Sequence, residues 1–298
     1  MILPEPVRQD PPTTGSPAGE WKLCRRTLRL DRPVLMGILN ATPDSFSADG
    51  IHNDVQHAVA RAEEMIAEGA VILDIGGEST RPGAEEVPVD EELRRVIPLV
   101  RALVRLNVPI SIDTRRATVA RAALAEGAEI VNDVSALGDP QMGELVADEG
   151  AGLVLMHMRG TPRTMQQNPE YTDVVAEVAN ELKAALARAF SHGVDAGAVV
   201  LDPGIGFGKT ADHNLQLIGK LKQLIDIGRP IMLGVSRKAF LGSLLGGVPP
   251  DRRVVATAAA CLAGFLAGAR IFRVHDVGAV SEALTVANAI RLAAAGPS

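Results

Sequence analysis

Eight times along this chain a short apolar run breaks off at or around a polar side chain, and a segment with helical spacing follows. Residues 34–39 run into Asn40, 109–112 into Asp113, 129–131 into Asn132, 152–156 into His157, and 198–201 into Asp202. Residues 70–75 carry Asp74 inside the run, 230–235 lead into Ser236, Arg237 and Lys238, and 270–274 flank Arg273 and His275. None of these runs alternates strictly between apolar and polar, so each reads as a strand buried on both faces. Helical spacing recurs over 55–66, 91–106, 117–126, 142–149, 174–192, 214–224 and 281–294, with Gly69 as a C-terminal stop for the first. Right-handed strand–helix units repeated eight times close into a (β/α)8 TIM barrel. An open, doubly wound parallel sheet is the runner-up. The count of eight favours the barrel, as does the gathering of polar residues at strand C-termini, which meet at one mouth of a closed barrel.

A barrel of this kind takes about 250 residues, so 298 residues accommodate one domain and an arm. The arm is residues 1–20, where five prolines are mixed with Thr, Ser and Gly and no apolar signal core is present. Residues 21–30 alternate polar and apolar, as a hairpin capping one barrel end would. A net charge of -6 with only six Phe, one Trp and one Tyr argues against tracking a nucleic-acid backbone or stacking its bases. The longest uncharged run, residues 254–269, is too short to suggest a membrane span and reads as a core or subunit-contact helix, hence a homodimer. Cys24 and Cys261 stand far apart, which excludes a disulfide framework and fits a reducing cytoplasm.

Several motifs fail on inspection. Gly204 to Thr210 resembles a phosphate loop, but Pro203 stands where the first glycine is required. Lys238 occupies the final glycine position of a nucleophile elbow around Ser236, so Ser236 reads as a loop hydroxyl. His157 reads as a core or mouth histidine and Asp74 as structural. Asn40, Asp113, Asn132, Asp202 and Lys238 form a different kind of set. Each alone could be a satisfied strand end, but burying five such groups at one mouth without a ligand is costly. Together they offer donors and acceptors to the edge of a flat heterocycle. Arg273, His275 and Arg81 add the positive charge that suits phosphate.

Over residues 34–290 the chain also resembles dihydropteroate synthases. The resemblance rests on M-G-I-L-N-A-T-P-D-S-F-S, D-I-G-G-E-S-T-R-P-G-A, S-I-D-T-R, I-V-N-D-V-S, L-M-H-M-R-G-T-P, L-D-P-G-I-G-F-G-K, G-V-S-R-K and R-V-H-D-V, in that order. It implies that residues 21–298 form a pterin-binding TIM barrel that joins 4-aminobenzoate to a dihydropterin methyl diphosphate, a step of folate biosynthesis. It further implies that Asn40 holds Mg²⁺ with the diphosphate and that Asp113, Asn132, Asp202 and Lys238 hold the pterin. Arg273 and His275 would bind the diphosphate. Thr80, Arg81 and Pro82 would form the aminobenzoate site on a mobile loop, near Phe207 and Lys238. Arg81, Lys238 and the first-loop Asp49 would serve the catalytic step.

Three positions depart from the family pattern. The first loop reads Ser47-Ala48-Asp49-Gly50 where the family usually has Ser-Asp-Gly-Gly; Ile205 replaces an aromatic, and Ala239 a frequent serine. All three are expected around the mouth. They open a second reading, a paralogue that keeps the pterin pocket with weak or no synthase activity. A third reading, a pterin-binding methyltransferase, fits poorly with Ser236-Arg237-Lys238 and Arg273-Val274-His275-Asp276, because a methyl donor brings no diphosphate.

Overall fold

The computed structural model of the chain describes residues 19–41, 51–80 and 83–295, with backbone only at 51–54 and 295. The chain enters through a hairpin, β1 (Glu20–Lys22) against β2 (Thr27–Arg29), paired antiparallel. Gly19 and Glu20, expected in the arm, already belong to this hairpin: the Leu30 amide donates to Gly19 O at 2.7 Å and Glu20 pairs with Arg29.

Alternating strands and helices follow in chain order. They are β3 (Val34–Asn40), α1 (Ile51–Ala67), β4 (Ala70–Gly76), α2 (Val89–Leu103), β5 (Ile110–Asp113), α3 (Ala117–Ala125), β6 (Ile130–Asp133) and α4 (Met142–Glu149). The second half is β7 (Gly152–Met156), α5 (Val174–Ser191), β8 (Val199–Asp202), α6 (Ala211–Gly219), α7 (Lys222–Ile225), β9 (Met232–Leu233), α8 (Ala239–Leu244), α9 (Val254–Ala267), β10 (Ile271–Val274) and α10 (Val277–Ala295). All eight strands from β3 to β10 run parallel, in the order β8-β7-β6-β5-β4-β3-β10-β9. The last gap closes where Leu201 bridges Ile231 and the Leu201 amide donates to Pro230 O at 3.0 Å. An open sheet leaves its two edges apart, so this contact decides for the barrel. The fourth strand starts at Ile130, one residue later than its apolar run, and the buried Glu129 carboxylate pairs with Arg26 at 2.9 Å.

The side chains sort into two shells. Met36, Ile72, Ile130, Val154, Val200, Met232 and Ile271 point to the barrel axis and pack against Trp21, Leu23 and Leu30 of the hairpin. Trp21 is fully buried, and its indole N–H donates to Ala198 O at 2.7 Å. The hairpin therefore plugs the N-terminal end of the barrel, where the expected cap has its largest side chain. Truncating a Trp in such a site costs about 3–5 kcal/mol. The second shell, between strands and helices, holds Leu73, Ile75, Ile112, Val131, Leu155 and Leu201. Successive strand residues face opposite shells, so a strand whose lower axial residue is apolar delivers its next axial residue to the open end. That end is polar.

Candidate active site

Two residues above the apolar floor, the axis carries Asp74 on β4, Asn132 on β6, Asp202 on β8 and Arg273 on β10; Asp113 sits at the end of β5. Register puts Asp113 level with Asn132 and Asp74 level with Ser111. The Arg273 guanidinium reaches across the mouth: its Nε donates to Asp74 Oδ2 and its Nη2 to Asp113 Oδ2, each at 2.6 Å. Asn132 Nδ2 adds a long contact to Asp74 Oδ2 at 3.5 Å. Asp74, read as structural from sequence, is thus half of the clamp that orients Arg273. Arg273, expected to serve the diphosphate beside His275, spends two of its donors on these acids and lies deeper than His275.

Three buried atoms of this cluster have no hydrogen-bond partner: Asp74 Oδ1, Ser111 Oγ and Asn132 Oδ1. Buried polar atoms are nearly always paired, so three beside one another mark a surface built for a polar ligand. Burial pushes the Asp113 carboxyl up to about 7, against the pull of Arg273. Burial likewise raises Asp202 to about 6, opposed by the Gly204 amide, which donates to Asp202 Oδ1 at 2.7 Å. Burial and the Arg273 charge lower the Lys238 ammonium to about 8, while Asp202 and Asp113 raise it. The arginine itself would be lowered by burial, but Asp74 and Asp113 lift it above its ordinary value.

Lys238 immediately precedes α8, and its Nζ lies 3.8 Å from the Phe207 ring centroid. The backbone of the β8–α6 loop makes this approach fit. Gly206 has φ +83°, and a Cβ there would stand 2.8 Å from Lys238 Cδ. Ser236 is a loop hydroxyl, as expected: its Oγ accepts the His275 amide at 3.1 Å and lies 3.0 Å from His275 Nδ1. Arg237, at φ +56°, is held by both oxygens of the Asp276 carboxylate. His275 is therefore oriented by the same turn that carries Lys238. Asn40 ends β3, the neighbour of β10, half-buried.

The other expected site residues fare differently. Thr80 is half-buried at the edge of the β4–α2 loop. The base of that loop is fixed by Glu78, which accepts the Val87 amide at 2.8 Å and pairs with Arg115 and Arg116 at 3.2 Å each. Burial works against the Glu78 carboxylate, but these donors hold it below its ordinary value. Arg81, Pro82 and Asp49 lie outside the described residues, as does Ala48. Ala239 is exposed at the start of α8, whereas Ile205 is fully buried in the outer shell. The departure at Ile205 is therefore a packing change, not the change at the mouth that the sequence suggested.

Sequence reasoning passed over one residue. Lys209, the lysine of the failed phosphate loop, is buried. Its Nζ lies 2.9 Å from His157 Nδ1, 3.0 Å from Gly204 O and 2.9 Å from Phe207 O. Three protons meet three acceptors, which fixes the loop that carries Phe207. His157 Nε2 in turn lies 3.0 Å from Glu181. Burial and the Lys209 charge lower His157 to about 3, so it is neutral, accepts from Lys209 at Nδ1 and donates to Glu181 from Nε2. Its reading as a core histidine holds. The signal for Lys209 was a lysine directly after three glycines in a turn, a pattern that also serves a loop needing its carbonyls gathered.

The family model described as pterin binding enzyme matches residues 36–275. The dihydropteroate synthase of Neisseria meningitidis serogroup B is 47% identical over 276 residues, covering 91% of this chain and 97% of that protein. The chain belongs to the dihydropteroate synthase family. Solved members of the family superpose over nearly their whole length. A Burkholderia cenocepacia dihydropteroate synthase complexed with 7,8-dihydropteroate is 49% identical, with a TM-score of 0.86 over 94% of this chain and 99% of that one. A Xanthomonas albilineans dihydropteroate synthase with 4-aminobenzoic acid is 46% identical, with a TM-score of 0.86 over 92% and 98%. The relatives just named are synthases, so the methyltransferase reading gains no support here.

Proposed function

We propose that this chain is a dihydropteroate synthase. The reaction joins the amine of 4-aminobenzoate to the methylene of 6-hydroxymethyl-7,8-dihydropterin diphosphate. The nitrogen–carbon bond forms, the carbon–oxygen bond to diphosphate breaks, and the amine gives up one proton. The observation that carries the reading is the set Asp113, Asn132, Asp202 and Lys238 at the mouth, beside the unpartnered buried oxygens of Asp74, Ser111 and Asn132. A pterin edge has N–H donors for carboxylate and amide oxygens and acceptors for an ammonium. Kinship with proteins solved with 4-aminobenzoic acid and with dihydropteroate supports the substrates.

The residues divide the work as follows. Asp202 and Asn132 accept from the pterin; Lys238 donates to it and forms one wall with Phe207. Asp113, clamped by Arg273 at 2.6 Å and level with Asn132, also holds the pterin, and its fixed position favours orientation of the two reactants. His275 and the remaining Arg273 donors face the departing diphosphate, where negative charge grows. Thr80, with Arg81 and Pro82 on the same loop, receives the aminobenzoate. Loop closure, to which Asp49 and Arg81 belong in this reading, excludes water so that the amine captures the carbon.

A magnesium ion fits this donor set. The described residues hold no cluster of three or more His, Cys, Asp or Glu side chains able to bind a metal. Mg²⁺ commonly takes one or two protein oxygens and completes its shell with substrate phosphates and water, and Asn40 offers one hard amide oxygen. When bound, the ion would neutralise the leaving diphosphate.

We further propose a cytoplasmic homodimer. Val255, Leu266, Val286, Ile290 and Leu292 stand exposed on α9 and α10, which pack side by side. By length and composition α10 could cross a membrane, but it is an outer helix of a closed barrel, and a second copy covering its apolar strip is the better use of that surface.

The test is a diphosphate-release assay on purified protein with both substrates and Mg²⁺, with the product identified by mass. The expected result is dihydropteroate formed in step with diphosphate. Tight pterin binding without turnover would instead leave a pocket-keeping paralogue.

A further inference from the structure

The face of the barrel opposite the mouth carries a second concentration of positive charge. Arg229 precedes β9 and Arg270 precedes β10, neighbouring strands at their N-terminal ends. With Lys222 at the start of α7 they line a cavity of about 190 Å³, whose other walls include Ile225, Pro230 and Ile231. The lining contains three cations and no acid.

Each arginine is only partly used. Arg229 is 7% exposed; its Nη1 donates to Ala196 O at 2.7 Å, and its Nε has no partner. Arg270 is half-buried, donates through Nη1 to Ala269 O at 2.9 Å and stacks on Phe265 at 5.6 Å. Burial and the nearby Arg291 charge lower its guanidinium below the ordinary arginine value. Asp226 pairs with Lys222 at 3.3 Å, and Asp195, paired with Lys22 at 3.0 Å, also feels the Arg229 charge, so the spare donors belong chiefly to Arg270 and to the unpartnered Nε of Arg229. Single bonds to carbonyl oxygens would suffice for capping chain ends, but each guanidinium has five donors. Arg270 has desolvation and the like charge of Arg291 against it with no acid to offset them, and an oxyanion between its fork and the spare Nε of Arg229 relieves that cost. A cavity holds one water in about 10–15 Å³, so this space admits a phosphate and a small group attached to it. The apolar half of the wall suits such a group.

We propose that this cavity is a second anion site that takes a phosphate group, as inorganic phosphate or as a small phosphomonoester, away from the catalytic mouth. The site is independent of the reaction proposed above. The test measures thermal stability of the full chain with inorganic phosphate or phenyl phosphate, against sodium chloride at matched ionic strength. Wild type is compared with Arg270→Gln and Lys222→Ala. Anion binding at the mouth is the same in all three proteins and cancels. The expected result is stabilisation of wild type beyond chloride, with apparent phosphate affinity reduced at least tenfold in Arg270→Gln and roughly threefold in Lys222→Ala. A stronger response to phenyl phosphate assigns the site to an ester, and an equal one to free phosphate. Should Arg270→Gln not fold, Lys222→Ala decides, because that side chain is 81% exposed and carries no core packing. Equal responses in wild type and the folded variants, or no response beyond chloride in wild type, overturn the proposal.

Discussion

Replacing Lys209 by methionine keeps the length and volume of the side chain and removes its ammonium. Three acceptors then lose their donor: His157 Nδ1, Gly204 O and Phe207 O. Each buried acceptor left unpaired costs about 1–3 kcal/mol. The opposing gain is relief of a buried charge, since desolvation lowers Lys209 from 10.5 to about 7. The two effects are similar in size at pH 7, so stability at that pH discriminates poorly. Its pH dependence discriminates well. The unfolded lysine stays protonated between pH 7 and 9, while the folded one releases its proton over that range. The unfolded state therefore binds more protons, and unfolding free energy rises with pH. For a folded value of about 7, integration from pH 7 to 9 gives about 2 kcal/mol. The penalty is complete below the folded value and gone above 10.5. Urea melts of wild type and Lys209→Met across this range read the effect, because of the two groups that feel the Lys209 charge, His157 titrates at about 3, far below the range, and Asp202 at about 6, below its lower edge. Wild type should gain about 2 kcal/mol on the variant between pH 7 and 9. Parallel curves would refute the burial argument. The variant should also turn over more slowly, about tenfold or more, because Phe207 loses its anchor.

Further outcomes follow from the same geometry. Arg273→Met leaves Asp74 and Asp113 buried without their counter-charge and should cost about 3–5 kcal/mol of stability, read by urea denaturation. Gly204→Ala places a Cβ 1.8 Å from His157 O at φ +65°; the protein should lose about 3 kcal/mol or more, and a thermal melt at wild-type temperature would contradict the contact. Pterin affinity should fall below pH 6 as Asp202 protonates and above pH 8 as Lys238 loses its proton, giving a bell-shaped calorimetric profile that Lys238→Met flattens on the alkaline side. Leu266→Asp should dissociate the proposed dimer in analytical ultracentrifugation while leaving the monomer folded, since that side chain is 66% exposed.

The sequence by itself determined the architecture. Eight apolar runs, each bounded by a helical segment, leave few topologies, and the polar residues ending most of them place a site at one end before any coordinates are known. Trp21 in an alternating segment was enough to foresee a capping hairpin. Those features are local: they lie within a few residues of one another and follow from periodicity and chain stiffness. What only the tertiary structure decided is long-range. Closure of the ring rests on Leu201 meeting Ile231. The role of Asp74 depends on Arg273, far along the chain, because strand register brings β4 and β10 to the same axis on either side of β3. Lys209 looked like part of a broken phosphate loop until folding brought the His157 ring and two carbonyls around it. Ile205, a departure expected at the mouth, turned into the outer shell because a turn of three positive-φ glycines reverses the chain there. A sequence states which groups are present; which of them face each other is settled by register and closure, where small shifts in many distant residues add up to one geometry.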